Sequence, residues 1–284
     1  MACSASTEEK TFHVRSVSLP SQAHPTTVRV EEELHKLRIC VEPSASSVTR
    51  EMICNGLRHL GEVYDDMEDL LHLPCIQQGL LHLGQKKTWQ QHLDGSIKLL
   101  DFFGIIKDAV NSTKESIQDL QLSVRRRGKN SMEDRLKAHI RSRKAMQKMI
   151  KKSYRDMKQA HGKCQPETEP MELSMIMRLL NEASVITRSL LCSIMHSMFA
   201  QRTKGSQWSL SSRAKRVACE DLCQSWNVDV LPNNLKDADI EKITMVRGQL
   251  MTIENSLGDL EDGLESLFRR LIRNRASILN ILSI

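Results

Sequence analysis

Apolar residues recur along most of this chain at spacings of three and four, the period that places them on one face of a helix. Ile53, Leu57, Leu60, Tyr64, Met67 and Leu71 form one such stripe, which predicts a helix over residues 48–73 that Pro74 ends. A longer stripe of Leu93, Ile97, Leu100, Phe103, Ile106, Val110, Ile117, Leu120 and Val124 runs until Arg125-Arg126-Arg127-Gly128. At the helical rise per residue, it predicts an element of roughly 50 Å. Upstream, His24-Pro25 opens a short amphipathic helix to about residue 40. Downstream, residues 131–161 read as a basic helix, 171–200 as an apolar core helix and 208–226 as a further short one. Gly162, Pro166 and Pro170 mark a linker over 161–170, and Pro232-Asn233-Asn234 another break.

The last stretch, residues 237–282, is the most regular. Ile243, Val246, Leu250, Ile253, Leu257, Leu260, Leu264, Leu267, Leu271, Asn274, Ile278 and Ile281 alternate the two spacings, a heptad pattern in which Asn274 alone is polar. Two packings satisfy it: a coiled coil between two copies, giving a homodimer, or a long helix within its own bundle. Gly248, Gly258 and Gly263 each weaken the helix by about 1 kcal/mol relative to Ala. Ser256, Gly263 and Phe268 stand where a zipper places complementary charges, and Phe268, Ile272 and Leu282 widen the stripe. These details favour the second packing.

Composition agrees with helices. Aromatic residues are 4% of the chain, whereas strands draw on Tyr, Phe, Val and Thr. The expected fold is all-α: one elongated multi-helix bundle over residues 25–284, with long helices and a heptad-patterned C-terminal helix. Residues 1–24, rich in Ser, Thr and Pro, read as a mobile tail. A chain of 284 residues can bury such a core without disulfides or metals.

Charge changes the picture more than composition does. The net +6 conceals a segment, residues 125–163, with 15 Lys and Arg against 3 Asp and Glu. Within it Leu136, Ile140, Met146, Ile150 and Met157 form a thin apolar stripe beside a dense basic surface. Arg125, Arg126, Arg127, Lys144, Lys148, Lys151, Lys152 and Arg155 are therefore candidate contacts for an anionic partner. Helices that lie on membrane surfaces and helical calmodulin targets share this layout, and so does an outer bundle helix with a solvated basic face. The near absence of aromatic residues among these charges argues against nucleic acid, since single-strand binders stack bases on them.

The tail carries a sharper motif. Arg15-Ser16-Val17-Ser18-Leu19-Pro20 fits the R-S-x-S-x-P pattern of 14-3-3 ligands, with a phosphate on Ser18 gripped by an Arg cluster of the partner. Arg15, Ser16, Ser18 and Pro20 form the expected phospho-docking site.

Nothing in the chain announces catalysis. There is no Gly-rich phosphate loop, no GxSxG elbow and no HExxH, so a non-enzyme without a cofactor is expected. The acidic knot Asp65, Asp66, Glu68 and Asp69 could hold a cation but reads more simply as a solvated helix face, and Cys219 and Cys223 lack further ligands for zinc. No metal site is expected. The 8 cysteines contain no CxxC pair and no apolar signal peptide opens the chain, which points to a reduced cytoplasmic setting. The uncharged apolar run at 189–200 is too short to span a bilayer, so any membrane association would be peripheral.

The tail read as Phe12-His13-Val14-Arg15-Ser16-Val17-Ser18-Leu19-Pro20-Ser21, with His24-Pro25, resembles the opening of the plant BYPASS-related family. Leu93-Asp94-Gly95-Ser96-Ile97-Lys98-Leu99-Leu100-Asp101, residues 120–127, and the stretches around Leu260-Glu261-Asp262-Gly263-Leu264-Glu265 and Leu267-Phe268-Arg269-Arg270-Leu271-Ile272 are similar to that family's other signatures. Val17 stands where the family often has Asn, and Phe103 where it often has Cys. The resemblance implies a helical plant protein with a role in root and shoot development, and it supplies no catalytic residues.

Overall fold

The computed structural model describes residues 24–41, 49–82, 86–126, 129–159, 171–199 and 240–283. The expected tail, the linker after residue 159 and the expected helix at 208–226, with Cys219 and Cys223, lie outside the described residues. The fold is all-α. Its helices are α1 (Pro25–Val41), α2 (Arg50–Leu71), α3 (Pro74–His82), α4 (Lys86–Arg125), α5 (Lys129–Gln159), α6 (Met171–Phe199) and α7 (Ile240–Ser283), with no strand among the described residues.

Local chemistry sets several helix ends. Thr49 has extended backbone, and its hydroxyl accepts from the Met52 N–H at 3.2 Å, satisfying a donor that the first turn of α2 leaves open. Pro74 ends α2 as its stripe predicts, and it also opens α3, a helix of 9 residues that the periodicity does not predict. Proline suits a first helical position because its missing N–H would have no intrahelical acceptor there. With 40 residues, α4 reaches about 60 Å, longer than its stripe implies, because it begins ahead of Leu93 and buries Trp89.

Side-chain pairs fix how the long helices run. Gln121 and Gln118 of α4 donate to Glu254 of α7 at 2.7 and 2.8 Å, and Lys114 reaches Glu261 at 2.5 Å. Lys107 then pairs with Glu265, the Phe103 and Phe268 rings meet at 5.5 Å, and Arg275 donates to Ser96 at 2.6 Å. Partners climb along α7 as α4 descends, so the two helices are antiparallel. On the other flank Arg50 pairs with Asp259, Asp65 accepts from Arg270 at 2.7 Å, and Glu68 accepts from Ser277 at 3.3 Å. Here the numbers rise together, so α2 runs parallel to α7.

The heptad seam is filled from within the chain. Every seam position from Val246 to Ile281, Asn274 included, is buried, and Ile243 packs at the edge of the same core. This core is continuous with Val30 and Leu34 of α1, Phe102 and Phe103 of α4, Ile150 of α5 and Ile194 of α6. Gly263 allows close approach: a Cβ there would lie 3.1 Å from Leu57 Cδ1, whereas at Gly248 and Gly258 it would meet nothing within 4 Å. Two stripe residues depart from expectation. Ile97 and Ile272 are 43% and 46% exposed, each lying just beyond the edge of the face its helix buries.

Candidate anion-binding surface

The basic helix is held in the bundle by its thin stripe. Ile150 is fully buried, Leu136 and Met146 pack against the core, and Tyr154 meets the Phe102 ring at 6.0 Å. Two polar residues point the same way. His139 Nδ1 and Ser116 Oγ are 2.7 Å apart, and Arg143 Nη2 donates to the Met198 carbonyl at 2.5 Å. Gln147 adds a bond to the Phe199 carbonyl at 3.1 Å, so α5 caps the C-terminal end of α6, where carbonyls lack intrahelical donors and a cation is favoured. Arg143, part of the basic run in sequence, thus belongs to the packing.

Arg135 pairs with Asp119 of α4 at 3.1 Å, and six further cations face away. A helix turns about 100° per residue, so Arg141, Lys144, Lys148, Lys151, Lys152 and Arg155 fall within about 60° of one direction, opposite Ile150. All six are exposed. The Arg155 Nε donates to the Lys151 carbonyl at 3.3 Å, but among the described residues none of the six forms an ion pair with a carboxylate. Met149, 47% exposed, is the one large apolar side chain that α5 shows to solvent among its described side chains.

The sequence grouped these cations with the arginines before them, and the fold separates the two sets. Arg125 and Arg126 are exposed at the end of α4, where the Arg126 N–H closes the helix on the Leu122 carbonyl at 3.1 Å. Lys144 stands about 22 Å further along α5 than its first residue. Arg127 lies outside the described residues, as do Arg15, Ser16, Ser18 and Pro20.

The acidic knot has a different purpose from either reading of its sequence. Asp65 holds Arg270 at 2.7 Å and Arg273 at 3.5 Å, Asp66 holds Arg29 at 2.9 Å, and Glu68 holds Arg273 at 3.4 Å. The knot is neither a cation site nor a plain solvated face: it clamps α1 and α7 onto α2. The partners lie far away in sequence, so no local signal points to them. His72 is bonded to the Glu68 carbonyl at 2.7 Å, and His92 to Asn181 at 3.1 Å. No group of three or more His, Cys, Asp or Glu that could hold a metal occurs among the described residues.

One polar cluster inside the bundle has no sequence signal either. The Tyr64 hydroxyl lies 3.0 Å from Thr187 Oγ1, and burial pushes its phenol up to about 12. Beside it burial lowers Arg188 from its ordinary value and pushes the Cys192 thiol up to about 11, which keeps that thiol protonated and unreactive at neutral pH. Spacing places Tyr64 on the buried face, but only the tertiary fold brings Thr187 to its hydroxyl.

No described helix is long and apolar enough to cross a membrane. A family model described as Protein BPS1 matches residues 56–281, which covers most of the chain and all of α4, α5 and α6. No curated protein and no solved structure matches.

Proposed function

We propose, from the premise that this chain belongs to the BPS1 family, that it is a cytoplasmic regulator of plant root and shoot development which works by binding and not by catalysis. Its working surface in this reading is the outward face of α5, from Arg141 to Arg155, and the partner it takes is polyanionic. The observation that supports the reading most is that six exposed cations on one face of α5 have no carboxylate partner among the described residues, in a bundle whose helices otherwise meet through ion pairs, Arg135 of α5 with Asp119 of α4 included. A row of like charges repels itself, so it adds nothing to the fold and is useful only toward an opposite charge from outside.

A decisive experiment compares wild type with the triple variant Lys148→Glu, Lys151→Glu, Lys152→Glu in plants lacking the endogenous protein. The variant should accumulate to wild-type level yet fail to restore root and shoot growth. Full restoration would remove α5 from the function. The tail motif provides a second contact in the same proposal, with phosphorylated Ser18 bound by 14-3-3 proteins. Pull-downs with wild type and Ser18→Ala, before and after phosphatase, test it: recovery of 14-3-3 that ignores both changes refutes it.

A further inference from the structure

The chemistry of the α5 face narrows its partner, and this step rests on the reading of α5 given above. We infer that the face adsorbs flat on an anionic lipid bilayer, held by charge without insertion of the helix. Three features of the helix favour this occupant over a protein or a nucleic acid.

The first is the direction of the apolar stripe. Leu136, Met146 and Ile150, which a surface-seeking helix would sink into the bilayer, are engaged with α4 and α6, leaving Met149 beside the cations. Insertion is therefore blocked by the fold, and what remains is a purely electrostatic contact. The second is the composition of the row. Four of the six cations are Lys, with no aromatic or large aliphatic residue at its centre. A protein interface needs such an anchor and is depleted in Lys, whereas a lysine ammonium on its flexible stem suits a diffuse sheet of charge that demands no fixed geometry. The third is shape. A helix seated in a duplex groove meets phosphates on both flanks, but here one flank carries Ala138, Ala145 and Met149, with Asp134 and Asp156 at its ends. Charge on one side only fits a plane.

From Arg141 to Arg155 the row extends about 21 Å, and each basic residue close to an anionic surface contributes about 5-fold in affinity. The test sediments the full chain with phosphatidylcholine vesicles, with and without phosphatidylserine, over a salt series, for wild type and the triple variant named above. Thermal melts confirm that the variant is folded. Wild type should bind only the vesicles containing phosphatidylserine, lose them as salt rises through the physiological range, and lose at least about 100-fold in affinity in the variant. Met149→Ala should bind as wild type does. Binding that survives in the variant, or a large loss in Met149→Ala, overturns the inference. If wild type ignores the vesicles but binds heparin or duplex DNA through the same lysines, the membrane is the wrong partner while the reading of α5 stands; if no polyanion is bound, both fail.

Discussion

Helices α5 and α7 are both long, charged and amphipathic, yet the bundle treats their charges in opposite ways. Along α7 Glu261 and Glu265 meet Lys114 and Lys107 of α4, and the arginines that follow, Arg270 and Arg273, meet Asp65 and Glu68 of α2. Along α5 Arg135 pairs with Asp119 of α4 and the inward Arg143 is bonded to a helix end, whereas the outward cations from Arg141 to Arg155 have no carboxylate partner among the described residues. Charge density alone therefore says little about purpose. What separates a structural charge from a functional one is whether the fold supplies its counter-charge.

The comparison breaks first if α5 proves as costly to alter as α7. Leu260 is fully buried in the seam, and Leu260→Ala should lose about 3 kcal/mol in a urea titration. The triple charge reversal on α5 should change stability by less than about 0.5 kcal/mol per site, since exposed positions without partners contribute little. A loss in α5 comparable to that of Leu260→Ala would mean that the basic face packs against something in the chain.

Glycines of α7 sharpen the same contrast at smaller scale. Gly258→Ala, with open space around its Cβ, should gain about 1 kcal/mol from helix propensity. Gly263→Ala should gain less, because its Cβ meets Leu57 Cδ1 at 3.1 Å and that side chain must give way to admit it. Equal gains in the two variants, read from thermal melts, would show that α2 and α7 do not approach as closely as described. Tyr64→Phe belongs to the same range. It removes a buried hydrogen bond to Thr187, whose hydroxyl also donates to the Ala183 carbonyl, and should cost about 1 kcal/mol.

How much of this was legible in advance follows from the range of the forces involved. Periodicity is a local signal, so the stripes of α2, α4 and α7 are read directly from the chain. The partition of charge was not legible. Arg143 and Lys144 are neighbours in sequence, and only the arrival of the α6 carbonyls makes one structural and leaves the other outside. Asp65 and Arg270 are separated by 205 positions, beyond any local pattern. Ile97 shows the limit of the stripe itself, since a residue at the edge of an apolar face is buried or exposed according to where the neighbouring helix ends.

The smallest effect probes the α4–α7 flank by pH. Hydrogen bonds from Lys107 and Arg269 hold the Glu265 carboxyl below its usual value. A folded value lower than the unfolded one contributes stability that is present above about pH 4.3 and is lost as pH falls through the folded value. Lys114 has the opposite sign: its bond to Glu261 raises it, so its contribution is complete below about pH 10.4 and is lost at higher pH. The flank should thus be strongest across the neutral range. Wild type should melt above Glu265→Gln at neutral pH, and the gap should close on acidification; because Glu265 is largely solvated, added salt should narrow it too. A gap that persists in acid would mean that Glu265 contributes through packing and not through its charge, and the counter-charges of α7 would then explain less of its difference from α5 than the geometry implies.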